Sequence, residues 1–171
     1  MVRRASTTPR AAVDERLQHD LAAASVLRQF RQIFNAVKAH FQHVEKKVGL
    51  GGAQVWALSV IRDTPGIGMG SLARAMNIHQ STASNLVKAL VERGLVSVAR
   101  QSADRRVVML KLLPAAARIL KRSPGPFAGV LPEALASLDR KTLNRLEADL
   151  KKLLRELGAD AGAAKIPLAE L

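Results

Sequence analysis

Val26, Phe30, Ile33, Val37, Phe41, Val44 and Val48 recur at spacings of three and four. Such spacing draws one apolar stripe along a helix of roughly 3.6 residues per turn. It predicts a long helix over 17–48, ended by Gly49, Gly51 and Gly52. A shorter helix with Trp56, Leu58 and Ile61 follows over 53–62, and "DTPGIGMG" then reads as a turn and loop. Helices are predicted at 71–76 and 81–93, joined by "NIHQ", with Leu86, Val87 and Leu90 facing inward and Gly94 as the stop. The period then falls to two. Leu95–Ala99 and Val107–Leu112 flank the polar stretch 100–106, the pattern of a β-hairpin. Val108, Leu110 and Leu112 share one face of the second strand, and Val107, Met109 and Lys111 the other. A lone hairpin is marginal in water, so another element must cover its apolar face.

Pro114 suits the first turn of a further helix. The three prolines in 124–132 predict a bend or a restart. Asp139 reads as the N-cap of a last helix ending near Gly158, with Leu143, Leu146, Leu150, Leu153 and Leu157 as its stripe. The fold class is mainly α with a small β-hairpin. Residues 1–12 are expected to be a flexible basic arm and 159–171 a flexible tail.

Composition narrows the function classes. A chain of 171 residues is expected to be one domain with tails, able to bury a core. No apolar run approaches the length of about 18 residues that spans a bilayer. The first residues place no apolar block after their arginines, so a secretory signal is not expected and a cytoplasmic location is. The absence of cysteine excludes a disulfide framework, a thiol nucleophile and a thiolate metal site. The net charge of +13 is unevenly placed: the excess is +6 over 1–62, nil over 63–85, +7 over 86–122 and nil over 123–171. A solubilising surface is one account of such an excess, and a nucleic acid or anionic surface the other.

Helix, tight turn, helix and hairpin in that order describe a winged helix-turn-helix, whose second helix enters a major groove. Here that helix offers "HQSTASN". Gln80 and Asn85 suit an adenine edge, Ser81 and Ser84 fit either base type, and Thr82 and Lys88 suit phosphates. A Ser/Thr cluster by itself would be no more than an N-cap and first turn; the flanking helix and hairpin give it the second meaning. The wing, from Arg100 to its tip at Asp104, Arg105 and Arg106, would bring arginine to a narrow minor groove. Asp104 is either paired to a neighbouring arginine, fixing the wing's shape, or a plain turn residue.

With "LARAMNIHQSTASNLVKALVERGLV", "DRRVVMLKLLP" and "LASLDRKTLNRLEADLKKLL", the chain resembles the MarR family of bacterial transcription regulators from about Leu17 to Leu157. It carries Leu113 and Ala116 where the family commonly has Leu-Thr and a glycine, and Asn85 where a basic residue is frequent. The resemblance implies a MarR-like domain at 13–158, with the winged helix-turn-helix at about 53–113 and dimerisation helices at about 17–48 and 114–157. It implies a homodimer that reads a pseudo-palindromic operator of double-stranded DNA, with half-sites about 34 Å apart and binding that weakens with salt. It also implies a repressor released by a small aromatic or anionic effector. Phe34, His40, Phe41, His43 and Trp56, with Lys47 nearby, are the candidate effector residues. They read equally as core aromatics and solvent-facing histidines.

Other classes fit less well. An architectural DNA-binding protein without an effector shares every DNA-contact feature and differs only in ligand response. An enzyme is not expected, because "GIGMGS" follows no strand and no nucleophile set is recognisable. No metal or other cofactor is expected, since His40 and His43 lack a third ligand. A membrane surface is not an expected partner, because the apolar stripes are needed for the dimer.

Overall fold

The computed structural model describes residues 9–100 and 108–170. Seven α-helices and two strands occur among them: α1 (Pro9–Val48), α2 (Gly52–Asp63), α3 (Met69–Ala75), α4 (Gln80–Glu92), β1 (Val96–Arg100), β2 (Val108–Leu112), α5 (Pro114–Arg122), α6 (Val130–Ala136) and α7 (Arg140–Glu156). Two short 3-10 turns follow, Ala161–Lys165 and Leu168–Glu170. The chain forms two compact units, Met1–Ala36 and Val37–Leu171.

The first unit holds the N-terminal part of α1. Helix begins at Pro9 and not at Leu17, so the flexible arm expected over 1–12 is corrected from Pro9 onward. Proline is preorganised for a first turn, and the Ala-, Arg-, Glu- and Leu-rich residues after it are strong helix formers that need no apolar stripe to propagate. Residues 1–8 lie outside the described residues. Val26 and Ile33 of the predicted stripe are 49% and 42% exposed, and Leu17 and Leu21 ahead of it are 57% and 61% exposed.

The second unit has the core. Leu58, Leu72, Leu90 and Leu110 are fully buried, with Val55, Ile61, Met76 and Val96 almost so. They come from α2, α3, α4 and both strands, so the hairpin is covered by the helices that precede it. The strands pair antiparallel, with Val96 opposite Leu112, Val98 opposite Leu110 and Arg100 opposite Val108. The loop after α2 guards the other edge of β2: Gly66 N–H donates to Leu110 O at 3.2 Å and Leu110 N–H to Ile67 O at 3.0 Å.

Two helix ends set the frame for α4. Asn77, with φ +51°, closes α3: its N–H reaches Arg74 O and Ile78 N–H reaches Ala73 O. Gly94, with φ +65°, closes α4 by the same bonds, to Val91 O and from Leu95 N–H to Leu90 O. Each is a Schellman motif, which needs a left-handed residue that glycine adopts freely and asparagine tolerates.

Pro114 is in the first turn of α5, and the proline segment interrupts the helix from Ser123 to Gly129 before α6 restarts it. Asp139 caps α7 through a hydrogen bond from Thr142 N–H. The flexible tail expected over 159–171 is corrected up to Glu170: Pro167 is buried, Ala169 packs against the core, and Leu168–Glu170 lies on α2. Apolar contact orders this segment without any periodic signal.

Candidate nucleic-acid interface

α4 is amphipathic by position. Ala83, Leu86, Val87 and Leu90 are buried, and opposite them, at the helical spacing, stand Ser81, Asn85, Lys88 and Glu92, all exposed. Gln80 is exposed, and Ser84 and Thr82 are half-buried, Gln80 and Ser84 on one flank of that face and Thr82 on the other. Of the six candidate residues of this helix, Ser81, Asn85 and Lys88 therefore share the outward face, while Gln80, Ser84 and Thr82 border it. Small hydroxyls and two amides around one lysine can approach base edges and phosphates closely.

The start of α4 is open. His79 stands at the N-cap in extended conformation, and its side chain makes no capping hydrogen bond to the first backbone N–H groups. Such groups and the positive end of the helix dipole favour an anion. At the other end, Arg93 Nη1 donates to Gly49 O at 2.9 Å, tying the close of α4 to the loop between α1 and α2.

The hairpin leaves α4 directly through Gly94. Arg100 ends β1, opposite Val108. Its side chain and the wing tip, Asp104, Arg105 and Arg106, lie outside what the structure describes. Nearer the base of the wing, Lys111 is exposed on β2. Arg62 is committed locally: it donates to Asp63 at 2.7 and 3.1 Å, and its guanidinium stands 5.4 Å from the ring centre of Phe127. The hydrogen bond from Arg62 holds the Asp63 carboxyl below the usual carboxylate range.

The five effector candidates do not converge. Phe41 and Trp56 line a cavity of about 200 Å³ in the second unit. Phe34, in the first unit, is 56% exposed and stacks on Phe30 with ring centres 6.4 Å apart. His40 donates from Nε2 to Pro126 O at 3.0 Å, and its ring meets Phe41 edge-on. His43 is exposed, and neither histidine nor Lys47 lines the cavity. The sequence reading missed most of the wall: Val37, Met76, Asn77, the stretch 128–132 and the C-terminal segment. Phe41 carries the one signal that could have helped, since its ring occupies space that only Gly52 and Gly129 leave open.

Comparison with known proteins finds chains of the same fold. The model of the MarR family matches residues 48–107. An uncharacterised HTH-type transcriptional regulator, YdgG of Bacillus subtilis (strain 168), is 26% identical over 108 residues, 62% of this chain and 67% of that one. Among solved structures, a MepR-like protein complexed with pseudoligands is 16% identical with a TM-score of 0.54, over 82% of this chain and 97% of that one. BpsR of Bordetella bronchiseptica is 25% identical with a TM-score of 0.52, over 80% and 94%. That structure concerns regulation of the DNA binding of BpsR by 6-hydroxynicotinic acid.

Proposed function

The chain belongs to the MarR family of DNA-binding transcription regulators through its residues 48–107, and from that premise we propose that it is a repressor that reads a specific duplex and is released by a small aromatic or anionic effector. The observation that carries the DNA reading is α4, whose buried side fixes it in the core while Ser81, Asn85 and Lys88 face outward next to a hairpin. A major groove, about 12 Å wide, admits one such helix. In this reading Gln80, Ser81, Ser84 and Asn85 meet bases, Thr82 and Lys88 meet phosphates, and Arg100, Arg105 and Arg106 serve the minor groove with Asp104 among them. One such module reads too few base pairs for a unique site, so the functional unit is a homodimer on a twofold operator.

The effector part is supported by the likeness to BpsR, whose DNA binding responds to an aromatic acid, and by a cavity with Phe41 and Trp56 in its wall. The test is selection of bound duplexes from a random pool, repeated with candidate aromatic compounds. A twofold motif that is lost on adding one compound is the expected result. Recovery of duplexes without any shared motif would instead favour the architectural protein.

A further inference from the structure

The outward side of α4 begins one residue before the helix does. His79 is exposed, as are Gln80 and Ser81 after it, and its side chain is not spent on capping the helix. The turn that carries it is fixed. Ile78 beside it is 7% exposed in the core, and Ile78 N–H donates to Ala73 O at 2.9 Å. The imidazole is therefore held at the head of α4 and moves with it. From Asn77 to Asn85 it is the one side chain whose charge changes between pH 5 and 8.

The charges around His79 are mostly basic. The sequence holds no Asp or Glu from Thr64 to Val91, and Arg74 and Lys88 are its charged residues there. Arg74, exposed on α3, donates to Ser71 Oγ at 2.9 Å. The strands packed on α3 and α4 carry Arg100 and Lys111. On α2, Arg62 donates to Asp63, and on α4 Glu92 stands in the last turn, far from the head. The C-terminal segment shares a cavity wall with Ile78 and holds Asp160, Lys165 and Glu170. Asp160 accepts from Gly162 N–H at 2.9 Å, and Glu170 lines a cleft with Arg93 beside the close of α4. A carboxylate partner for an imidazolium at the head of α4 is thus not supplied by these elements.

We infer, on the DNA reading proposed above, that His79 is a proton-linked contact to the DNA backbone: its imidazolium donates an N–H to a phosphate oxygen, and duplex binding takes up a proton at each half-site. In the free chain the charged ring stands among cations, whereas in the complex it meets an anion, which favours the charged form. Binding therefore favours protonation, and by reciprocity protonation favours binding. His79 and Lys88 lie nine residues apart, about 13 Å along a helix axis. That is close to the major groove's width of about 12 Å. The two cations can stand at opposite phosphate walls while the residues between them face bases.

The test is fluorescence anisotropy of the full chain on the duplex selected from the random pool, between about pH 5 and pH 8 and at several salt concentrations. The parent is expected to bind about five- to tenfold tighter at the acid end. Its dependence of log affinity on log salt should steepen there by about 0.9 per half-site. His79→Gln keeps a hydrogen-bonding side chain without the titration. It should match the parent within about twofold at the alkaline end and lose most of the acid-end increase in affinity and salt slope. Reading parent against variant cancels the titration of His19, His40 and His43. His79→Lys, charged throughout, should bind at the alkaline end as tightly as the parent does at the acid end, and it carries the test should the glutamine variant fail to fold. A His79→Gln chain with the parent's full pH response would overturn the contact and leave the DNA reading standing. A His79→Lys chain weaker than the parent at both ends would show that no phosphate stands beside the ring. A parent chain that binds no duplex at any pH would overturn the DNA reading, and this contact with it.

Discussion

The ring of Phe41 fills the place where a β-carbon on Gly52 would project, with Cδ1, Cε1 and Cγ all too close to admit one. On another side its Cζ lies 2.8 Å from where a β-carbon on Gly129 would stand. The aromatic ring is thus seated against two backbones that glycine alone leaves bare. Gly52 has no positive φ, so the constraint on it is space and not conformation.

Gly52→Ala is therefore expected to lower stability by about 1–3 kcal/mol, the usual cost of forcing an extra carbon into a packed core. Adding Phe41→Leu should recover part of that loss, because the two residues share the crowded space and their effects cannot be additive. Urea unfolding of the single and double variants measures both. A Gly52→Ala chain as stable as the parent would show that the ring swings aside freely.

Much of this arrangement was legible in the residues. The helix pair, Gly94 as a stop, Pro114 as a start and the Asp139 cap all rest on local chemistry that the sequence states outright. The hairpin followed from a change of period at Leu95. The start of α1 was not legible, because Pro9 to Ser25 contains good helix formers whose apolar residues were not read as a stripe. The C-terminal segment was missed for a related reason: "AKIPLAEL" has no period, and it is ordered by docking on α2. The cavity was half legible. Phe41 and Trp56 could be named as aromatics, but the convergence of Val37, Asn77 and Pro167 depends on contacts between distant parts of the chain.

The two kinds of contact assigned to α4 should separate in salt. Lys88→Ala is expected to weaken binding to all duplexes alike and to reduce the dependence of log affinity on log salt by about 0.9, one released counterion. Asn85→Ala should leave that slope unchanged and cost about 1–3 kcal/mol at one base position only. Fluorescence anisotropy on the selected duplex and on single-position variants, at several salt concentrations, reads both quantities. A Lys88→Ala chain with an unchanged salt slope would remove Lys88 from the phosphate contacts.

Asp139 couples α7 to pH. Its Oδ2 accepts from Thr142 Oγ1–H at 2.7 Å and its Oδ1 from Thr142 N–H at 2.9 Å. These bonds, the hydroxyl's first, hold the carboxyl below its ordinary value in the folded chain. A depressed folded pKa stabilises at pH above the unfolded value, and the contribution disappears as pH falls through the folded one. Asp139→Ala should thus lower the melting temperature near neutral pH, and the gap between parent and variant should shrink below about pH 4. Melting curves followed by helical circular dichroism from pH 7 to pH 2 test this. A gap that stays constant over the range would show that the cap acts without its charge.

The same helix carries leucines that the single chain does not cover. No residue of α7 is buried: Leu146, Leu153 and Leu154 are 36%, 39% and 51% exposed, and Leu157, which caps its C-terminal end, is 68% exposed. A row of leucines facing water along a helix of 17 residues is a costly surface unless a second apolar face meets it. In a twofold dimer the same patch on each copy meets its equivalent or a neighbouring stripe. Replacing Leu153 and Leu157 together by Lys leaves the buried core of the second unit untouched, since neither belongs to it. The variant is expected to sediment as a monomer and to lose duplex affinity by at least about tenfold, because one half-site must then bind without the other. A doubly substituted chain that still sediments as a dimer would place the self-association elsewhere, on the exposed stripe of α1.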